Sequence, residues 1–358
     1  MKYTPTFFLL LIFMFSSLNA QNKIVNSAAD TVRFVSFPDF LNFDVPEPWP
    51  KYEDAIDYFL GQVKSEKPDF VLVDGDLVDG HWWDSPQCVA VNGTVYYSGW
   101  VRRMEKYGLK YYTAIGDHEL GDDPWPKEKR ELVPYLEEVY KNNLNMPQNG
   151  PDNKKGLAYY LREGNLLIIT VETFEVVNDS MRIAVIGDQL EWFKKVLEDN
   201  KDAAFKIVQG HVGLWGKLNA RSSSFLMLED GKESEFYKVM KKYGVDAYFA
   251  GEFHDVTVLE SDGIWEIVHG SSWGREVVNT EDYLVCEVVG DKLNFTLKRI
   301  YMNAEGDYMW NVNKPKGPRE IVKIDKKTLN SGPETTGTLT ITNVNSKKTY
   351  TNRSGYFK

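Results

Sequence analysis

Histidine and cysteine are scarce in this chain, with five and two among 358 residues. Cys88 and Cys286 are too few for the disulfide framework of a small secreted scaffold, and they are read as unpaired thiols. Excess positive charge is absent: the formal net charge is −10, which argues against a nucleic-acid backbone as the main partner. Long apolar runs are missing except near the start. There, residues Met1–Ala20 combine a Lys, the run Phe7–Phe15 and a small-residue exit from Ser16 to Ala20. That run is short for a membrane span, and the order is that of a cleaved signal peptide. The mature protein is expected to begin near Gln21 and to be secreted or periplasmic, with no membrane span.

The full chain is rich in core-forming residues, 42% apolar and 14% aromatic, enough for a large globular body. The stretch Phe70–Val73 is wholly apolar and closes on Asp74-Gly75-Asp76. It reads as a buried strand whose glycine lets the chain turn, leaving Asp76 just past the carboxyl end, where open α/β sheets bind ligands. The same pattern recurs. Val32–Phe37 leads to Asp39, and Tyr111–Ile115 to Gly116-Asp117-His118-Glu119. Phe205–Val208 leads to Gly210-His211, and Ala247–Phe249 to Gly251-Glu252-Phe253-His254.

Helices are expected where Ala55, Ile56, Phe59, Leu60 and Val63 share a face, over Lys127–Tyr140, Asp188–Asn200 and Glu233–Tyr243. Tyr159–Leu161 and Leu166–Val171 suggest a hairpin, and Trp265–Val268, Leu284–Val289 and Leu293–Ile300 are later strands. Strands alternating with helices, then a run of strands, imply a four-layer α/β/β/α sandwich: two mixed sheets flanked by helices. The expected divisions are a signal peptide over 1–20, a catalytic-type domain over 22–300 and a C-terminal extension over 301–358 rich in Lys, Asn, Thr and Gly. Within the extension Ile321–Ile324 and Thr338–Ile341 read as short strands, and its packing on the body is left open.

Five strand ends carrying acids and imidazoles are what a metal site needs, because hard divalent cations draw oxygen and His ligands from several loops. Three of the five histidines, His118, His211 and His254, fall in these turns. The blocks Pro38-Asp39, Gly75-Asp76-Leu77-Val78-Asp79, Gly116-Asp117-His118-Glu119, Gly210-His211 and Gly251-Glu252-Phe253-His254 resemble, in order and spacing, those of the calcineurin-like metallophosphoesterase family. Asp188-Gln189-Leu190-Glu191-Trp192 is similar to a helix start in its purple acid phosphatase-like branch. The resemblance spans about Arg33 to Arg299. It implies two divalent ions bridged by Asp76, one also held by Asp39 and His254, the other by Asp117, His211 and Glu252. It further implies a metal-bridging hydroxide that attacks phosphorus, with His118 neutralising the transition state or protonating the leaving oxygen.

Three letters depart from the family pattern. Leu41 stands where a ligand His is usual, so Asp44 or Asp79 is expected to complete the first site. Asp117 replaces Asn, and Glu252 replaces His. Both changes add anionic oxygen, which suits Mn²⁺, Mg²⁺ or Ca²⁺ better than Zn²⁺ or Fe. His81 and Arg221 are candidate substrate contacts, with Trp82, Trp83, Lys217 and Arg275 behind them. The expected function is hydrolysis of a small-molecule phosphate monoester or diester. The rival is a non-catalytic, metal-stabilised protein that binds a carbohydrate or phosphorylated ligand. Oligomeric state is left open.

Overall fold

The computed structural model describes residues 31–40, 50–78, 80, 82, 84–216, 225–270, 280–305 and 321–358. The first strands form a parallel set, β1 (Val32–Phe37), β2 (Phe70–Val73) and β3 (Tyr111–Thr113), with α1 (Pro50–Ser65) and α2 (Pro86–Lys106) as the crossovers. Strand β2 is buried on both faces, and its side chains alternate. Val71 and Val73 point into a layer with Ile56, Phe59 and Leu60 of α1, whereas Phe70 and Leu72 point into a second core shared with Leu166, Ile168, Phe205 and Ile207. That two-sided alternation separates the helical layer from the inter-sheet layer. Helix α2 starts where the Ser85 hydroxyl accepts from Cys88 N, with Pro86 in the first turn. Cys88 and Cys286 are free thiols.

Two helices, α3 (Lys127–Arg130) and α4 (Val133–Leu144), precede the hairpin of β4 (Tyr159–Glu163) and β5 (Leu166–Thr170). A small separate hairpin, β6 (Phe174–Val177) and β7 (Ser180–Ile183), comes next. Then α5 (Gly187–Asp199), β8 (Phe205–Gln209), α6 (Glu235–Tyr243), β9 (Ala247–Ala250), β10 (Val256–Ser261) and β11 (Ile264–His269) build the second sheet, ordered β10-β11-β9-β8-β5-β4. Phe193 and Leu197 of α5 and Phe236 and Met240 of α6 cover its outer face. The layers are therefore α/β/β/α, with a mixed sheet on each side of the inner core.

The first sheet is completed by β12 (Thr280–Val289), β13 (Lys292–Glu305), β14 (Ile321–Ile324), β15 (Glu334–Val344) and β16 (Lys347–Gly355). Its order is β16-β15-β13-β12-β1-β2-β3, with β14 on β13. A short helix, α7 (Lys326–Ser331), links β14 to β15. Strand β13 runs through residue 300 without a break, and the C-terminal hairpin packs on the body. Phe357 is buried 5.9 Å from the Trp265 ring, Asn343 Nδ2 donates to Ala204 O at 2.6 Å, and Lys348 Nζ lies 2.7 Å from the buried Asp246. Among the described residues no helix is long and apolar enough to cross a membrane.

Candidate metal centre

The parallel strands β1, β2 and β3 of one sheet, and β8 and β9 of the other, deliver their following turns to one place. Asp39, Asp76, Asp117, His211, Glu252 and His254 meet there, and all are buried. Four of them, Asp39, Asp76, Glu252 and His254, have φ between 45° and 64°, a left-handed backbone that side chains rarely adopt. Each costs about 1–3 kcal/mol, and such residues collect at functional sites. Two glycines make the close approach feasible. A Cβ on Gly75 would collide with the His211 ring, and one on Gly251 with the Asp39 carboxylate.

The ligand atoms form overlapping groups. Asp39, Asp76 and His254 can each place one atom within 4.8 Å of the others, and so can Asp117, His211 and Glu252. Asp76 also groups with Asp117 and His118, so it lies between the two sets. His211 Nδ1 is 2.7 Å from Asp74 O; a carbonyl only accepts, so Nδ1 carries the proton. The other nitrogen, Nε2, then faces Asp117 Oδ1 at 2.9 Å, Asp76 Oδ1 at 3.4 Å and Glu252 Oε2 at 3.6 Å. A lone pair aimed at three carboxylates is repelled unless a proton or a metal ion lies between.

Electrostatics point the same way. Burial pushes Asp39 and Asp76 well above the usual carboxylate range, and the Asp117 charge adds to the rise at Asp76. Glu252 is raised by burial and by Asp117. Burial also opposes the charged form of Asp117, yet the hydrogen bond to His211 and the nearby His118 outweigh it and hold that carboxyl below its usual value. Burial works against a charged His211, but Asp76, Asp117 and Glu252 raise it well above the ordinary imidazole range. A divalent cation placed among these groups would favour their ionised forms. Asp39 Oδ2 and Asp76 Oδ2 are buried with no hydrogen-bond partner. Oxygen-rich donors with orphaned atoms fit divalent cations, and His118 and His254, each 8% exposed, form the accessible side.

Glu119 is a further functional residue, to which sequence reasoning gave no role. Its carboxylate accepts from Gly116 N (2.7 Å), Asp76 N (2.9 Å), Leu77 N (2.7 Å) and Val78 N (3.3 Å), tying the Asp117 turn to the Asp76 turn. The signal available was an acid inside a glycine-led turn after an apolar strand. Trp82 is mostly buried, stacked on Tyr96 and edge-on to Tyr97 of α2, and so packs the helical layer. Asp44, Asp79, His81 and Arg221, with Trp83, Lys217 and Arg275, lie outside the described residues.

The loop after His211 is anchored by Glu266 of β11, which accepts from Leu214 N and Trp215 N. Burial lifts its carboxyl from 4.5 to about 8 against those two backbone hydrogen bonds. Across that window the folded state keeps a proton that the unfolded chain has lost, so this group's contribution to stability falls as pH rises. Glu266→Gln is expected to flatten the decline in urea stability between pH 5 and pH 8.5, relative to wild type. An unchanged slope would show that Glu266 titrates normally.

No curated protein matches the chain. Among solved structures, a dimetal phosphatase from Danio rerio superposes with a TM-score of 0.54 at 13% identity, covering 74% of this chain and 95% of that one. An anchor in the inner membrane complex of Plasmodium gives a TM-score of 0.49 at 14% identity, covering 76% and 84%. At these identities the likeness shows the fold alone. Residues 32–256, more than half the chain, match the family described as calcineurin-like phosphoesterase. The chain therefore belongs to the calcineurin-like phosphoesterase family.

Proposed function

We propose that this protein hydrolyses small phosphate monoesters or diesters outside the cytoplasm, with two divalent cations held between its sheets. Asp39, Asp76 and His254 would hold one ion, and Asp76, Asp117, His211 and Glu252 the other. The observation that carries this reading is the buried convergence of Asp39, Asp76, Asp117 and Glu252 with His211 and His254, Asp39 and Asp76 each keeping an unpartnered oxygen. When bound, such ions supply Lewis acidity, which neutralises charge gathering on a phosphoryl group and acidifies water.

The chain's own residues supply the rest. His118 N donates to Asp76 Oδ1 at 3.3 Å, and its Nε2 is 3.9 Å from Asp76 Oδ2. The imidazole therefore sits beside the shared carboxylate on the accessible side, suited to giving a proton to a departing oxygen. Glu119 keeps both turns in register by accepting from Gly116, Asp76, Leu77 and Val78 N. The anionic donor set favours Mn²⁺, Mg²⁺ or Ca²⁺.

The test uses chain expressed with its own N-terminus, stripped by chelator and reloaded with Mn²⁺, Mg²⁺, Ca²⁺ or Zn²⁺. Each form is assayed on aryl phosphate monoesters and diesters. Hydrolysis with at least one hard ion, by protein whose first residue lies near Gln21, supports the proposal. Tight ion binding without hydrolysis of any ester would instead favour a metal-stabilised binding protein.

A further inference from the structure

We propose that Asp74 and His269 form a buried positioning pair across the two sheets, one that aims His211 and sets the cation affinity of the Asp117–His211–Glu252 group. This rests on the metal-dependent reading above, but its test reads metal binding instead of hydrolysis.

Asp74 follows β2 in the first sheet and His269 closes β11 in the second. Both are fully buried, and His269 Nδ1 lies 3.4 Å from Asp74 Oδ2. Ser36 of β1 donates its hydroxyl to the same carboxylate oxygen at 3.1 Å. Asp74 N donates to Phe37 O at 3.3 Å. One residue back, Val73 O accepts from Gln209 Nε2 of β8 at 2.9 Å, while Gln209 Oε1 accepts from Thr170 Oγ1 of β5 at 2.9 Å. The peptide that leaves β2 is thus gripped from both sheets. Its Asp74 carbonyl is the group that accepts from His211 Nδ1.

That carbonyl fixes the plane of the His211 ring, and with it the direction of Nε2 toward Asp117 and Glu252. Metal–ligand distances tolerate only about 0.2 Å of error. Partners that orient a ligating imidazole are accordingly worth about 10–100-fold in metal affinity. Stability alone does not explain polar groups here. Burial keeps the His269 ring neutral, and neither of its nitrogens nor Asp74 Oδ1 has a hydrogen-bond partner, so the pair is a poor source of stability. His269 is itself held by packing, its ring edge-on to Phe249 with centroids 5.2 Å apart.

The test is calorimetric titration of the chelator-stripped full chain with Mn²⁺. His269→Phe keeps the ring packing and removes the nitrogen. Asp74→Ala with His269→Phe removes both polar partners and leaves no unpaired carboxylate. Each is expected to weaken one of two Mn²⁺ sites about 10–100-fold while the other holds its wild-type affinity. His269→Asn, whose amide nitrogen takes the place of Nδ1, is expected to restore the weakened site. A folded apolar variant that keeps both affinities, or weakens both equally, overturns the proposal. So does failure of the double variant to fold, since the pair would then serve stability. Wild-type chain that binds no Mn²⁺ overturns the metal-dependent reading itself, and this inference falls with it.

Discussion

Asp76→Asn is expected to remove both cations and to abolish phosphoester hydrolysis, while leaving the chain folded. Asp76 groups with Asp39 and His254, and also with Asp117 and His118, and its Oδ1 lies 3.4 Å from His211 Nε2 of the second set. Its Oδ2 is orphaned, so the substitution removes a charge without breaking a hydrogen bond of that oxygen. Asn tolerates the φ of 55° at this position and can still accept from His118 N through its amide oxygen. Folding without metal should even improve, because burial and the Asp117 charge both penalise the ionised Asp76 carboxyl. The stability order is therefore expected to invert. With a chelator the variant melts at or above wild type; with saturating Mn²⁺ the wild type melts higher, since only it gains binding free energy. The loss of activity should exceed the roughly 10²–10³-fold that removal of one electrostatic stabiliser costs. Metal content by mass spectrometry and melting curves with and without chelator check this. A variant that retains both ions would mean that the two groups do not share a ligand.

His118→Ala is expected to separate chemistry from metal binding. His118 belongs to neither principal ligand group, although it touches the Asp76–Asp117 side of the pocket. Loss of a general acid typically costs about 10²–10⁴-fold, and kcat should fall by that range with both ions retained. The size of the loss should follow the leaving group. Esters of acidic phenols need little help from a proton and should suffer least, whereas alkyl phosphates should suffer most. Equal losses across leaving groups, together with fewer ions bound, would assign His118 to holding Asp76 in place.

The strand ends were legible because each joins a short apolar run to a turn rich in Gly and acid, as in Phe70–Val73 before Asp76. Geometry then brings together Asp39, Asp76, Asp117, His211, Glu252 and His254, residues that sequence spacing alone only places in separate turns. What stayed hidden depends on partners distant in the chain. Glu119 looks like an ordinary turn acid until four backbone N–H groups are seen to converge on it. Asp74 and His269 end strands in different sheets, and no local pattern links them. Strand β10 was missed because it starts two residues after His254, where the turn signal overrides a short Val-Thr-Val run. The strand expected at Thr338–Ile341 lies within β15, but composition leaves its packing on the body open. Yet Leu339 and Ile341 of β15 alternate with Thr338, Thr340 and Thr342, so one face is apolar and enters the inner core.

Under the proposed function, metal keeps the buried carboxylates between the two sheets ionised, and hydrolysis needs that metal. The most direct measurement is the metal content of the purified chain by mass spectrometry, repeated after stepwise chelation with phosphate ester hydrolysis followed in the same samples. Close to two divalent ions per chain are expected, with activity that falls as they are withdrawn and returns when Mn²⁺ is restored. Chain free of metal and fully active would contradict that function.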